Sequence, residues 1–317
     1  MKKTPVRDFF KKFWEKRKKK TKHTWQLMKK NKEKYVMVAP FMILFSVFTV
    51  LPVLISIFFS FTNFNMLEFP DFIGFENYKR LFLADDIFLI AIKNTLILAI
   101  ITGPLSYLMC FGFAWLINEL KRPLRVFLTV VFYAPSISGN AYLIWKLIFS
   151  SDMYGYANSW LMDLGFINEP ILWLQDTSYI MPILIIVQLW LSLGVSFLSF
   201  IAGLQTVDKT LYEAGAIDGI RNRWQELWFI TLPSMKPQLL FGAVMQITTS
   251  LSISSISIEL AGFPSVEYAG HTIVTHLYDF GSVRYEMGYA SAIASLLFFV
   301  MIFTNLIVQK LLRKVGR

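Results

Sequence analysis

The chain is poor in charge and in the side chains that hold metals or form disulfides. Of its 317 residues, 16% are charged, three are histidine and one is cysteine. A soluble domain has roughly 25% charged residues, so there is too little polar material here to cover a water-facing surface. The lone thiol, Cys110, lies in an apolar run, excludes an intrachain disulfide and reads as buried and inert. No G-x-x-x-x-G-K-[S/T] stretch occurs, which excludes a P-loop nucleotide site in this chain. All acids fall in loops or at the ends of apolar runs, and no histidine lies within one. A membrane-embedded enzyme would need ionisable groups converging inside the bilayer. His271 and His276 stand five residues apart without a third ligand, and read as exposed loop histidines rather than a metal site.

What is present is apolar length. Hydrophobic residues make up 55% of the chain, with 30 phenylalanines. About 20 mainly apolar residues span a bilayer as a helix. Six stretches qualify: Tyr35–Phe61, Ile90–Leu116, Leu124–Phe149, Tyr179–Leu204, Leu239–Ile258 and Met287–Leu312. They predict an all-α membrane protein with six transmembrane helices. The first holds Pro52 and the second Gly103-Pro104, residues tolerated in membrane helices when neighbours satisfy the freed backbone.

Lys and Arg mark the cytoplasmic side. Fifteen precede Tyr35, three lie in the turn at Lys121–Arg125, four in the loop 205–238 and four after Val308. That places 26 of 31 on one side of the six spans, whereas the opposite loops hold Lys79, Arg80 and Arg284 together with 13 of the 21 acids. The distribution predicts both termini in the cytoplasm. It also explains the net charge of +10 without nucleic acid, since a charge run is no folded reading surface. Residues 1–34 form a separate basic segment, with Phe9, Phe10, Phe13 and Trp14 at helical spacing. It reads as an amphipathic anchor on anionic membrane lipid, and residues 35–317 as the membrane domain. In the outer loop 150–178, Tyr154, Tyr156, Trp160 and Trp173 fit an interfacial aromatic belt or a docking surface for an external partner. Glu259, Glu267, Asp279, Arg284 and Glu286 in the last outer loop read as solvated charge or contacts to such a partner.

The loop 205–238 is longer than a helix connection needs. Thr210-x-x-Glu213 has the form of a capping box. Ala214, Gly215 and Ala216 make a small-residue patch, and Asp218-Gly219 ends the first short helix through a left-handed glycine. A second helix is predicted over Asn222–Thr231, with Trp224, Leu227, Trp228 and Ile230 on one side and Pro233 barring its continuation. The result is two short amphipathic helices at a sharp corner.

This stretch resembles the EAA loop of binding-protein-dependent ABC transporter permeases, whose pattern is E-A-A-x-x-D-G-A followed by I-x-L-P. Here it stands as Glu213-Ala214-Gly215-Ala216-Ile217-Asp218-Gly219-Ile220, then Ile230-Thr231-Leu232-Pro233. Gly215 and Ile220 depart from the pattern; the first change is mild, while the second adds bulk beside the corner. "IGFENYKRLF" (73–82), "KNTL" (93–96), "FYAPSISGNAYLIWKLIFS" (132–150) and "MGYASAIA" (287–294) resemble the carbohydrate-uptake branch, including maltose and glycerol-phosphate permeases. The resemblance covers most of the chain from Tyr35 onward.

It implies a type I ABC importer permease (MetI-like) fold in a bacterial cytoplasmic membrane, with the cytoplasmic loop as coupling element. Two cytoplasmic ATPase subunits using ATP and magnesium would drive transport. A second permease subunit would complete the pathway, and an extracytoplasmic binding protein would deliver a sugar or oligosaccharide. Under that reading Glu213 contacts the ATPase beside Ala214 and Gly215, Asp218 and Gly219 form the corner, Trp224 and Leu227 pack beneath the membrane, and Pro233 closes the motif. This chain itself would hold no cofactor. Polar and aromatic groups inside spans are pathway candidates: Asn140, Tyr142 and Trp145 in the third, Gln188 and Trp190 in the fourth, and Gln246, Thr249 and Ser250, with Ser257 on roughly the same face, in the fifth. Packing between helices would equally explain the hydroxyls. A permease of the same architecture for a peptide, phosphate or polyamine is the alternative, and a membrane sensor or enzyme the alternative from another class.

Overall fold

The computed structural model describes residues 27–312. Phe9, Phe10, Phe13 and Trp14 of the predicted amphipathic anchor, and the basic residues after Leu312, lie outside them. The chain divides into two units, Met1–Phe58 and Phe59–Arg317. The first unit carries nearly all of helix α1 (Lys32–Phe59), which is apolar enough to cross a bilayer and has no buried residue.

The second unit is helical, with one isolated β-bridge, Thr62 to Phe72, among the described residues. After the short helix α2 (Glu76–Leu83), helix α3 (Asp86–Asn118) runs 33 residues without interruption, through Pro104. At 1.5 Å per residue it is about 50 Å long. The Asp85 carboxylate caps its first turn by accepting from the Phe88 amide at 2.9 Å. The other spans of this unit, except the last, are interrupted. Helix α4 (Arg122–Ile137) and helix α5 (Tyr142–Ile148) meet at 84°, with the short helix α6 (Tyr156–Asp163) beyond them. Helix α7 (Thr177–Leu191) is separated from α8 (Val195–Thr206) at Ser192–Gly194. The helical face α9 (Lys209–Ile217) and helix α10 (Arg223–Glu226) form the predicted corner. Helix α11 (Lys236–Leu251) is separated from α12 (Ser255–Ala261) at Ser252–Ser254. Helix α13 (Ile273–Tyr278) and the long helix α14 (Met287–Leu312) complete the unit.

The third apolar stretch is therefore not one straight helix. Ser138, Gly139 and Asn140 occupy the corner, residues whose side chains or missing Cβ favour turns over helix. Pro233 does not stop the chain either. A π turn over Leu227–Thr231 precedes it, just as one over Ser46–Val50 precedes Pro52. A proline ring in a helix clashes with the carbonyl four residues earlier, and the wider turn makes room for it.

Helix α3 packs against α7, α8 and α11, and α11 packs against α14. Close approach depends on missing side chains at two places. A Cβ on Gly242 of α11 would lie 2.3 Å from the tip of Phe200, which is fully buried in α8 between Tyr107 and Phe111. A Cβ on Gly103 of α3 would meet the Ser250 hydroxyl at 3.3 Å.

The end of this unit opposite the α9–α10 corner is held by buried hydrogen bonds. The Asn77 amide donates to the carbonyls of Ser60 and Thr62, and the Asn94 amide to those of Tyr268 and His271. The Thr95 hydroxyl accepts from the Ile273 amide at 2.9 Å. Fully buried Asn158 binds Ser150, Asp152, Ile171 and Trp173, folding the aromatic loop 150–178 on itself. His271 and His276, expected to be exposed, are 2% and 1% exposed. They lie in a chain of contacts: His271 Nε2 to His276 Nδ1 at 3.1 Å, His276 Nε2 to Asp85 at 3.1 Å, and the Tyr289 hydroxyl to Asp85 at 2.6 Å. Asp279 and Glu286 are likewise engaged, by Arg284 at 2.7 Å and Arg80 at 2.5 Å. Phe88 and Phe280 pack around the His276 imidazole, and Phe263 and Tyr268 around that of His271.

Burial raises the Asp85 pKa, but the bonds from Tyr289, the Phe88 amide and His276 outweigh it and hold the carboxyl below its ordinary value. Burial lowers His276 more than Asp85 raises it. Neutral His276 then donates to ionised Asp85 and accepts from His271, which leaves His271 Nδ1 as a buried acceptor with no partner among the described residues. Burial, and next the neighbouring His276, lower His271 from 6.5 to about 4. A depressed histidine contributes stability that is complete above its unfolded value and is lost as pH falls. Thermal stability in detergent should therefore fall as the pH drops from 6.5 to about 4, and His271→Gln should flatten that slope; an unchanged slope would show that the buried imidazole does not govern it. Gly242→Leu should cost about 1–3 kcal/mol by overpacking Phe200. Gly112→Ala, with nothing within 4 Å of its Cβ, should be neutral or slightly stabilising in the same thermal measurement.

Candidate functional site

Two places in the second unit combine exposure with unusual backbone. The first is the corner between α9 and α10. Helix α9 begins at Lys209, not Thr210, because the Asp208 carboxylate caps it by accepting from the Thr210 amide at 3.0 Å. That bond holds the exposed Asp208 carboxyl below its ordinary pKa. The predicted capping box from Thr210 to Glu213 is replaced by this earlier cap, since an aspartate at the boundary outcompetes a threonine two residues inside. Glu213 is left exposed.

The helix ends as the sequence predicts. Gly219 has φ +94°, the Ile220 amide donates to the Gly215 carbonyl at 2.9 Å, and the Gly219 amide donates to the Ala216 carbonyl at 3.3 Å. This is a Schellman ending, which a side chain at 219 would strain. The two departures from the EAA pattern compensate each other. A Cβ on Gly215 would meet the Ile220 side chain at 3.1 Å and that of Ile230 at 2.7 Å. The bulk added at 220 occupies the space vacated at 215.

The second half of the corner packs on the first. Asn222 caps α10 by accepting from the Gln225 amide at 2.9 Å. Leu227 and Ile230 turn inward and are buried, and the Tyr212 hydroxyl meets Thr231 at 2.9 Å. Trp224 and Trp228 are not beside them: they are 71% and 63% exposed. Trp224 rests on Trp115 of α3, ring centroids 5.3 Å apart. With Ile217 and Phe229 also exposed, the corner presents an apolar rim around the small residues Ala214 and Ala216 and the charged groups Glu213 and Asp218. Pro233 lies within the helical path behind this rim.

The second place is a cavity of about 370 Å³ where the broken helices meet. Gln188, Gln246 and Thr249, three of the predicted pathway residues, line it. Gln246 is buried, donates to the Ser192 carbonyl at 3.2 Å and lies 3.3 Å from the Thr249 hydroxyl. The sequence reading missed Tyr133, Ser136, Ser192, Gly194, Ser252 and Ser254, which share this lining. Their signal is the clustering of serine and glycine at mid-stretch in "LSLGVS" (191–196) and "SLSISS" (250–255). The remaining predicted residues do not line the cavity. Ser250 is turned onto Gly103 of α3, and Ser257 donates to the Gly270 carbonyl, beyond the break that separates it from Gln246. Asn140 and Tyr142 bond one another at 3.2 Å in the corner between α4 and α5, and Trp145 packs edge-on against Trp190 at 5.7 Å.

Open backbone inside a bilayer is tolerated where it lines a cavity or is buried in protein. An uncharged space bounded by amides, hydroxyls, a phenol and two helix breaks suits a polar, neutral molecule rather than an ion. Among the described residues no group of three or more acidic, histidine or cysteine side chains is placed to hold a metal.

The comparisons with known proteins agree with this architecture. The chain is 31% identical to the probable ABC transporter permease protein YesP of Bacillus subtilis, over 90% of this chain and 91% of that one. It is 32% identical to the arabinooligosaccharides transport system permease protein AraP of the same organism, over 87% of each chain. Its fold matches a chain of the bacterial alginate ABC transporter solved in complex with an alginate pentasaccharide-bound periplasmic protein, with a TM-score of 0.74 at 24% identity, covering 92% of this chain and 98% of that one. The sequence profile of the family described as "binding-protein-dependent transport system inner membrane component" matches residues 112–317. That match takes in the corner, the cavity and all the broken helices after α3, and the chain belongs to this family of permeases.

Proposed function

We propose that this chain is one translocation subunit of an ATP-driven importer of a sugar or oligosaccharide. The similarity to the arabinooligosaccharides transport system permease protein AraP supports the substrate class, as does a cavity that offers hydrogen bonds without formal charge. A soluble binding protein outside the membrane delivers the sugar. Two cytoplasmic ATPase subunits, which use ATP and magnesium, supply the energy, and a second permease completes the pathway. The basic residues on the α9–α10 side and before Tyr35 favour cytoplasmic termini, and residues 1–34 rest on anionic lipid.

The observation that carries this reading is the corner itself. A closed, capped turn holds Glu213 and Asp218 at the surface, with exposed Ile217, Trp224, Trp228 and Phe229 around them. Large apolar side chains grouped this way mark an interaction surface. The ATPase grips that surface, and its closure moves α8 and α11, which the corner joins. Those helices carry the two breaks that line the cavity, so their displacement changes access to it. Hinge and shear movements of packed helices have this form.

Reconstitution with the neighbouring ATPase, permease and binding protein tests the reading. Glu213→Lys should leave the protein inserted but lower ATPase co-purification and reduce uptake of the labelled sugar by about tenfold, the effect of reversing a charge at a docked surface. Gly219→Pro should do the same, because φ +94° is closed to proline and the bond to Ala216 is lost. Wild-type uptake in both variants would remove the coupling role.

A further inference from the structure

Besides its two covalent connections, the cytoplasmic corner touches a third helix. The Arg223 guanidinium lies 2.8 Å from Glu119, at the end of α3, and 2.8 Å from Glu226 in its own helix. One residue on, Trp224 packs on Trp115, in the last turn of α3. Arg125 approaches the same helix end from α4, donating to the Asn118 side chain at 3.2 Å. The carbonyl end of a helix carries partial negative charge, and here Glu119 adds a full one. Two guanidiniums from two different elements meet that end.

Helix α3 is suited to carry force. It is unbroken over 33 residues. Cys110, Ala114 and Ile117 near its cytoplasmic end pack with Phe197, Phe200 and Leu239 of the two interrupted spans. Near its other end, Asn94 and Thr95 hold the segment around His271 and Ile273. The Thr272 hydroxyl in that segment donates to the Ile253 carbonyl, inside the break that lines the cavity. A displacement of α3 along its axis therefore reaches the cavity from the outer side, while α8 and α11 deliver it from the inner side.

We infer that Arg223 and Glu119 form a transmission contact, through which the corner drives α3 as a strut in addition to the helices it joins covalently. Arg223 is a positioning residue in this scheme. The inference rests on the coupling role proposed for the corner. Both side chains are partly exposed, at 64% and 42%, and exposed ion pairs contribute little to stability. Their loss should leave folding and ATPase docking intact and change only how much transport each ATP yields.

The test uses the complete transporter in proteoliposomes, measuring labelled sugar uptake per ATP hydrolysed. Glu226→Gln serves as the background, so that Glu226 neither competes for nor repels position 223. On it, Arg223→Glu and Glu119→Arg should each lower uptake per ATP about fivefold while the ATPase still co-purifies and hydrolyses, and the double reversal should bring the ratio back to within about twofold, as expected for directly coupled positions. An unchanged ratio in the single reversals overturns the strut, as does a loss that the double reversal fails to rescue. Loss of the ATPase from the single variants overturns it too, by making Arg223 a docking group. Glu213→Lys in the same preparation reports separately on the coupling role: if that variant keeps its ATPase and full uptake, the corner is not the coupling element, whatever Arg223 does.

Discussion

The constraint on which this fold depends is the satisfaction of backbone groups where helices are interrupted. The bilayer core supplies no water, and an unpaired amide or carbonyl there costs several kcal/mol. Interruptions at Ser192–Gly194 and Ser252–Ser254 would be prohibitive if each span had to answer for its own. Each is instead met by a distant part of the chain. The Ser192 carbonyl accepts from the Gln246 side chain and from the Cys110 thiol, and the Ile253 carbonyl accepts from Thr272. Cys110 is thus neither reactive nor idle filler; it is a small buried donor at a break. Since Gln246 of α11 supports the break between α7 and α8, and the break after α11 is supported from beyond α12, neither interruption is stable without the other parts in place. The cavity is a consequence. Broken backbone and the hydroxyls that accompany it leave polar space between apolar helices.

The family-like motifs outside the corner acquire roles from the same logic. Asn77 of "IGFENYKRLF" and Asn94 and Thr95 of "KNTL" hold loop backbone at the end opposite the corner. In "MGYASAIA", Gly288 lies so close to the Thr62 carbonyl that a Cβ there would be 2.1 Å from it, and Tyr289 binds Asp85. Asp85 in turn caps α3 and fixes His276. These short motifs, far apart in sequence, converge on one buried hydrogen-bonded assembly. Arg80 adds to it from above, 4.2 Å over the Tyr289 ring. On the proposed coupling role, an end anchored in this way would be the firm one against which movements at the corner act.

How much of this was legible in the sequence follows from the range of the interactions involved. Apolar length located the spans, and the corner could be read residue by residue because a Schellman ending is local: it needs Gly219 and its neighbours, and nothing remote. The start of α9 was misplaced because Asp208 and Thr210 are both acceptable caps and only geometry chooses between them. The breaks were hidden because Leu193 and Ile253 are apolar, so hydropathy runs through them unaltered. What decides those breaks is Gln246 and Thr272, fifty-four and nineteen residues from the carbonyls they bind. The histidines were misread for the same reason. Their partner Asp85 lies 191 residues from His276, and a loop position says nothing about what folds over it. Of the pathway candidates, Gln188, Gln246 and Thr249 line the cavity and the others lie elsewhere, since a Ser or Trp in a span packs against a neighbour as readily as it faces a cavity.

The contrast between broken and unbroken helices bears on how such a protein moves. A packed interior resists continuous deformation, so change concentrates where the packing has alternatives. The interrupted spans provide these: a turn at Ser192–Gly194 or Ser252–Ser254 can absorb a few dihedral changes that a continuous helix cannot. Helix α3 has no such point, and its tight contacts at Gly103 with Ser250, and at Cys110 and Ile117 with the core, oblige it to move as one piece. A rod among hinged elements divides the work. On the proposed coupling role, the hinged helices would reshape the cavity and the rod would keep the two ends of this unit in register. Gly215 and Ile220 show the same economy on a smaller scale: the corner tolerates a bulkier residue because the residue it touches became smaller, and its rigid outline survives. Rigidity at the corner and along α3, with freedom at the breaks between helices, is the combination that the proposed coupling role requires, because α3 alone is about 50 Å long.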